Sequence, residues 1–272
     1  MTKNKTFWVG IVAAAALALT GCGDDATGTG GTAGSGGTAG DGGTGGAMAM
    51  ANVTGVHLAP AVPAADDTEV EIFLNGEPSG VTLSYAETTG RIPLPVGTYD
   101  IGLGLPGADA PLLQLDGVEL AEGDDLNVIA YAVTGDIPFD VFVISNSTEG
   151  LEAGFGRVFV AHGANDPILD PVNVVTTDVP VTACTDLLPG FAFGEVLPEG
   201  GLPLAEGSVN VGFTLDDTCP PLAAGPVEVP ITPDVVSIAV AVDEDPSDGL
   251  LLELFALVDA DTLVRLINTE EN

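Results

Sequence analysis

The chain has 272 residues, of which 40 are acidic and five are lysine or arginine, and its formal net charge at pH 7 is −35. Nucleic acids and anionic lipid surfaces bind proteins through clustered lysine and arginine side chains, so this composition excludes both as ligands of the folded part. The hydrophobic fraction of 46% supports a sizeable core, and the length predicts two domains of roughly 100 residues each.

The N-terminus has the layout of a secretory signal, which we place at residues 1–21. Lys3 and Lys5 precede a run of apolar and small residues that is shorter than the ~20 residues of a membrane-spanning helix. The run ends at residues 19–22 (LTGC), which resemble the lipobox of bacterial lipoproteins. The resemblance implies acylation of Cys22, and two or more acyl chains anchor a protein stably. The alternative is an ordinary cleaved signal followed by an incidental cysteine.

Residues 22–50 carry Cys22 and a segment composed almost entirely of Gly, Thr, Ala, Ser and Asp. This composition has too little apolar surface to offset the entropy of ordering it, so we expect a flexible tether. The predicted location is the bacterial cell envelope, at the outer membrane or cell surface, with the lipid on Cys22 as the membrane contact. Loss of the signal leaves three arginines against 40 acidic side chains, a formal charge near −37 that is typical of a self-repelling, solvated surface.

Beyond the tether, the sequence predicts β structure throughout. Short runs rich in β-branched and aromatic residues lie between Gly, Pro, Asn and Asp, and no stretch between them has the amphipathic period of a helix. These runs are residues 70–74, 99–103, 127–133, 141–144, 209–213 and 235–242. The predicted fold class is all-β.

One pattern occurs twice along this part of the chain. Residues 92–103 align without gaps on residues 202–213, which places Gly97 and Gly207 in matching turns. The other equivalent positions follow in the same order in both halves: His57 with His162, Val70 with Val172, residues 128–133 with 237–242, and Phe142 with Phe255. We therefore predict two domains, residues 51–148 and 155–268, with a linker between them.

The same positions resemble a known family. Residues 56–60 (VHLAP), 70–76 (VEIFLNG) and 94–99 (LPVGTY) resemble the domain of unknown function 4397 family, and residues 160–164 (VAHGA) and 172–175 (VNVV) are similar to a second copy. The resemblance implies two tandem immunoglobulin-like β-sandwich domains. It brings no established catalytic residues, so the fold leaves the function open.

His57 and His162 are the only histidines in the sequence. Catalysis would require a nucleophile and an orienting acid beside the ring. Because both copies reuse a histidine at the same position, we expect a role in the fold, such as a bond to a neighbouring loop. Neither the GxSxG nor the HExxH signature occurs, so no catalytic residues are predicted.

Residues 102–107 (GLGLPG) match the GxGxxG pattern of dinucleotide sites. In such a site the glycines open a helix that faces the pyrophosphate, whereas Pro106 interrupts this segment. We interpret the segment as a strand that ends in a turn, and we predict no cofactor.

Residues 243–249 (DEDPSDG) concentrate carboxylates in one turn, as calcium sites do. The segment does not fit a helix-loop-helix site, because Asp248 stands where that site requires glycine. The first interpretation is an acidic hairpin tip. The alternative is a weak calcium site formed by Asp243, Asp245 and Asp248.

Cys184 and Cys219 both belong to the second copy and have no counterparts in the first. A secretory address places them where disulfides persist, so we predict a bond between them. The sequence thus favours a non-enzymatic, lipid-anchored envelope protein that acts as a surface spacer, adhesive or protein-binding unit with an unidentified protein partner. The alternative is a divalent-cation-dependent binding or sensing protein that uses its acidic loops.

Overall fold

The computed structural model describes residues 48–60, 68–133, 139–165, 170–215, 218–243, 252–259 and 262–266. The predicted signal, Cys22 and most of the predicted tether lie outside these residues. The described residues belong to one compact unit. None of them forms a helix that is long and apolar enough to cross a membrane.

The described residues form β strands and no helix, which confirms the all-β class. The strands from the first half are β1 (Met50–Leu58), β2 (Val70–Leu74), β3 (Glu77–Leu83), β4 (Glu87–Pro95), β5 (Gly97–Gly104), β6 (Leu113–Leu120), β7 (Asp125–Ala132) and β8 (Phe139–Ser145). The strands from the second half are β9 (Phe155–Gly163), β10 (Val172–Thr177), β11 (Cys184–Phe191), β12 (Val196–Ala205), β13 (Gly207–Thr214), β14 (Ala224–Ile231), β15 (Val236–Asp243), β16 (Leu252–Val258) and β17 (Thr262–Leu266).

Each half of the chain builds one two-sheet sandwich. In the first sandwich the inner sheet has the strand order β4-β1-β7-β8 and the outer sheet has the order β3-β2-β5-β6. In the second sandwich the inner sheet has the order β12-β9-β15-β16-β17 and the outer sheet has the order β11-β10-β13-β14. Both inner sheets contain a parallel pair, β1 with β7 and β9 with β15. The immunoglobulin-like assignment of these sandwiches stays a prediction.

Residues 92–103 and 202–213 occupy equivalent places in the two sandwiches, with Gly97 and Gly207 in matching turns. The sequence similarity suggests a hairpin in each copy, but this interpretation is wrong: β4 and β5 belong to different sheets, as do β12 and β13, so each turn connects the two sheets of its sandwich. The strands that follow the turns pair in the same register. Leu103 of β5 pairs with Ile72, and Phe213 of β13 pairs with Val174 at the equivalent point.

The expected alignment of residues 128–133 with 237–242, by contrast, is wrong by two residues. Ala130 lies opposite His57, and Ala241 lies opposite His162, so Val128 corresponds to Ala239. A shift of two keeps every side chain on its face of the sheet, and the apolar pattern alone therefore does not detect it.

The two sandwiches pack against each other through their inner sheets. Val56, Leu58 and Ile129 of the first sandwich belong to one buried cluster with Ile238 and Val240 of the second. Further clusters fill the space between the two sheets of each sandwich. The described residues therefore form four stacked sheets, and both inner sheets are covered on two faces.

Burial on two faces explains the sequences of the central inner strands. In β15, Val236–Asp243, the side chains from 236 to 242 are all buried, and residues 127–131 of β7 are buried as well. A strand that is covered on both sides reads as a continuous apolar run, whereas a strand with one solvated face alternates.

Candidate functional site: the junction of the sandwiches and an apolar cavity

Aromatic rings from both sandwiches meet at the junction, by which we mean the contact between the two inner sheets. Tyr131 stacks on Phe142 with ring centroids 4.0 Å apart, and Phe193 of the second sandwich meets Tyr131 edge-on at 5.7 Å. Tyr85 of the first sandwich meets Phe255 edge-on at 6.0 Å. Tyr85 and Phe193 occupy equivalent turns, so the contact has approximate twofold symmetry.

A buried carboxylate lies beside these rings. Glu253 of β16 is 2% exposed. Its Oε2 accepts a hydrogen bond from the hydroxyl of Tyr85, and its Oε1 forms an ion pair with the guanidinium of Arg265. One carboxylate thus binds a donor from the first sandwich and a cation from the second.

Arg91 of β4 also connects the two sandwiches. Its Nε lies 2.8 Å from Oδ2 of Asp125 in the first sandwich, and its Nη2 lies 3.0 Å from Oδ1 of Asp259 in the second.

Arg157 of β9 holds the chain segment that joins the sandwiches. It donates hydrogen bonds to the backbone carbonyls of Ser147 and Glu149, the second at 2.8 Å. Arg91, Arg157 and Arg265 are the only arginines in the sequence. All three therefore lie at or beside the junction.

The hydroxyl of Tyr131 is held in its neutral form. Burial raises the pKa of Tyr131 above its ordinary value of 10.0, and the charge of Asp140, to which the hydroxyl is hydrogen-bonded, raises this pKa further.

Both histidines lie in the buried cores. His57 and His162 are each 1% exposed. Nε2 of His57 lies 2.8 Å from the carbonyl oxygen of Thr68, at the point where the chain enters β2. The ring of His162 lies 5.6 Å from the ring of Phe191. The contact with Thr68 is a bond between a buried ring and a neighbouring loop, as expected for a role in the fold.

The glycines of the GxGxxG segment serve packing. A Cβ on Gly102 would lie 2.7 Å from Cβ of Pro111, and one on Gly104 would lie 2.8 Å from a ring carbon of Phe73. The backbone N–H of Gly107 donates to a carboxylate oxygen of Glu71 at 2.8 Å. The segment is therefore a strand that ends in a turn. The backbone N–H of Gly107, which a bound phosphate would need as a donor, is already hydrogen-bonded to an acidic side chain.

The predicted disulfide is confirmed. Cys184 is bonded to Cys219, with their Cα atoms 5.9 Å apart. The bond joins the start of the edge strand β11 to the connection between β13 and β14.

The predicted calcium ligands fall largely outside the described residues. Asp243 ends β15 and its backbone pairs with Leu252, while Asp245 and Asp248 are not described. Cys22 also lies outside. Among the residues that are described, no group of three or more His, Cys, Asp or Glu side chains could hold a metal ion.

The first sandwich contains an apolar cavity that was not predicted. It has a volume of about 200 Å³ and lies between the two sheets, and its lining includes Ile72, Leu103, Ile101 and Val128. The first two belong to one buried cluster and the last two to another. The cavity therefore separates the core of this sandwich into two parts, whereas the core of the second sandwich is one continuous cluster.

No protein-family model matches this chain, and no curated protein is significantly similar to it. The resemblance to the domain of unknown function 4397 family therefore stays a prediction.

Proposed function

We propose that this chain is a non-enzymatic, lipid-anchored envelope protein of the domain of unknown function 4397 family. Its two fused sandwiches act as a single rigid unit that spaces or presents a binding surface outside the membrane, and the lipid on Cys22 holds it there.

The contact between the inner sheets supports this proposal most directly. Apolar side chains from both sandwiches share one buried cluster, and the Glu253 carboxylate receives Tyr85 from the first sandwich and Arg265 from the second. Domains that move relative to each other have small, polar contacts, whereas a large hydrophobic contact holds its partners together. A spacer or presenting unit needs this rigidity.

The distribution of charge is the second support. The arginines lie at the junction, and a formal charge near −37 remains for the chain after Cys22. A strongly acidic surface repels copies of itself and the anionic lipids beneath it. Such a unit stays extended from the membrane and unassociated at high surface density.

Rigidity is tested by unfolding the soluble ectodomain, residues 46–272. One cooperative transition, with the same midpoint for far-ultraviolet circular dichroism and for the methyl signals of both sandwiches, is expected. Two separated transitions would show that the sandwiches are independent, and the rigid-unit proposal would be abandoned.

Anchoring is tested in the full chain by replacing Cys22. The native chain should incorporate labelled fatty acid and partition into detergent, and Cys22→Ser should lose both properties while its ectodomain folds unchanged. Cys184→Ser is the matched control, because it removes a different cysteine and leaves the lipid. Equal fatty-acid incorporation in the native chain and Cys22→Ser would contradict anchoring at this residue.

The presenting role is tested by crosslinking on intact cells, with the ectodomain as bait. Capture of one defined envelope protein, lost after mutation of the ectodomain surface, identifies the partner.

Cation-dependent binding is the alternative function, and titration of the ectodomain with calcium tests it. A saturable calorimetric heat that disappears in Asp243→Asn with Asp245→Asn would replace the presenting role by cation-dependent binding.

A further inference from the structure

The cavity of the first sandwich is a feature of the side chains rather than of the fold. The second sandwich repeats the strand pairing of the first, with β17 added at one edge of its inner sheet, and it has a continuous core. The difference between the two cores therefore lies in the residues at equivalent positions.

Three equivalent positions carry smaller side chains in the first sandwich. Gly55 lies two residues before His57, where the second sandwich has Val160 two residues before His162. Leu83 corresponds to Phe191, because each pairs with the first residue of its neighbouring strand, β2 or β10. Leu103 corresponds to Phe213, because each pairs with the third residue of that same strand.

All three larger residues belong to the continuous core of the second sandwich: Val160, Phe191 and Phe213. All three smaller residues line the cavity: Gly55, Leu83 and Leu103. A protein interior is normally close-packed, and a void of this size is destabilising unless a ligand occupies it.

The mouth of the cavity lies between two edge strands. β3 is an edge strand of the outer sheet and β4 is an edge strand of the inner sheet, and the two contact each other on one side of the sandwich. Val81, Ile92 and Leu94 line the cavity from these strands and are half-buried, and Ser79 beside them is exposed. The opening is therefore a slot with apolar walls that leads from solvent to the core.

The side chains that line the cavity are mainly Val, Leu and Ile. The lining includes one imidazole, that of His57, whose Nε2 is engaged with the carbonyl oxygen of Thr68, and among the described residues it contains no carboxylate, amine or guanidinium group. An apolar cavity of about 150 Å³ in another protein stays dry and binds benzene, so 200 Å³ has room for a chain of about six to eight carbons. The strong negative net charge of the protein disfavours ligands that end in a carboxylate or phosphate.

We propose that the first sandwich is a binding site for a free, uncharged amphiphile, and that the end of its unbranched aliphatic chain occupies this cavity. The slot between β3 and β4 admits the chain, and the polar end stays in solvent near Ser79. The second sandwich has no such site, because larger side chains fill the equivalent space.

The test is a titration of the ectodomain with a series of 1-alkanols from butanol to dodecanol, followed by the methyl signals of Ile, Leu and Val. Saturable shifts are expected at Ile72, Ile101, Leu103 and Val128. Affinity should rise about fourfold for each added methylene. The rise should level off near eight carbons, because further methylenes remain outside. Shifts of equal size in the second sandwich, at Val174 and Val229, would indicate unspecific partition and would overturn the proposal.

The matched variants transfer the residues of the second sandwich to the first. Leu83→Phe with Leu103→Phe should reduce octanol affinity at least tenfold. Leu112→Phe makes the same chemical change at a side chain that is 42% exposed, and it should bind octanol as the native protein does. Unchanged affinity in a folded double variant would overturn the proposal. If the double variant does not fold, the methyl map of the native protein decides, because a site elsewhere would shift other signals.

Discussion

The hydroxyl of Tyr85 in the first sandwich donates a hydrogen bond to the buried carboxylate of Glu253 in the second. The two residues are separated by 168 positions in the sequence. This bond lies beside the edge-on contact between Tyr85 and Phe255, so one side chain provides both apolar and polar contacts across the junction.

Tyr85→Phe should destabilise the protein by about 1–3 kcal/mol, because it keeps the ring and removes a donor from a buried, charged acceptor. Chemical denaturation of the ectodomain measures the change. Tyr99→Phe is the control, since the hydroxyl of Tyr99 donates to the carbonyl of Pro95 at an exposed position, and its removal should cost less than about 0.5 kcal/mol. Equal effects of the two substitutions would contradict a special role for the Tyr85–Glu253 bond.

Gly163→Ala should loosen the junction. A Cβ at Gly163 would lie 2.9 Å from Cβ of Tyr131, which cannot move without displacing its strand. We expect a loss of about 1–3 kcal/mol and a larger loss for Gly163→Val, as for other overpacked cores. Ala205→Val adds methyl groups at an exposed end of β12 and should change stability by less than about 0.5 kcal/mol. A native-like free energy of unfolding for Gly163→Val would refute the close contact.

The strands and the repeat could be predicted because their signals are local. Alternation, turn residues and the matching segments at residues 92–103 and 202–213 lie within short windows. That these segments cross between two sheets, rather than form hairpins, depends on pairing with distant strands and is not visible in such a window. The runs at 128–133 and 235–242 are apolar apart from Ser237, and such runs are typical of strands that are buried on both faces. They therefore favour a further layer packed against each inner sheet.

The junction and the cavity could not be predicted in the same way. Tyr85 and Glu253 are neighbours only after both sandwiches have folded and docked, and no short-range pattern relates them. The cavity depends on differences in side-chain volume, such as Gly55 against Val160. Those differences become informative only when strand pairing fixes which residues are equivalent.

Salt should stabilise the protein. Ion pairs such as Arg91 with Asp125 and Asp259 are partly exposed, and exposed pairs contribute only about 0.2–1 kcal/mol each. Repulsion among 40 acidic side chains opposes them. Raising ionic strength from about 0.01 to 0.15 M shortens the screening length from roughly 30 to 8 Å, so repulsion should weaken and Tm should rise. Choline chloride should raise Tm as sodium chloride does, because screening depends on ionic strength and not on the identity of the cation. A fall in Tm on addition of salt would contradict the dominance of repulsion among the acidic side chains.

Alkaline pH should destabilise the protein through Tyr131. Burial and Asp140 raise the pKa of Tyr131 in the folded state above its ordinary value of 10.0, so the folded protein holds this proton more tightly than the unfolded chain. The resulting stability is complete below pH 10 and is lost as pH rises from that value towards the folded-state pKa. The slope should approach about 1.4 kcal/mol per pH unit. Tyr131→Phe removes the titrating group, so the same slope in that variant would assign the effect to other residues.

Loss of the disulfide should destabilise the second sandwich. Cys184 and Cys219 are 35 residues apart, and closing a loop of that length stabilises the folded state by about 4 kcal/mol on the chain-entropy estimate. Cys184 opens β11, which is an edge strand with one neighbour, so hydrogen exchange should accelerate first in β11 when the bond is reduced. The double variant Cys184→Ser with Cys219→Ser should show the same loss of stability and no further response to reductant. Slow exchange in β11 after complete reduction, with an unchanged free energy of unfolding, would mean that strand pairing alone holds this edge of the sheet.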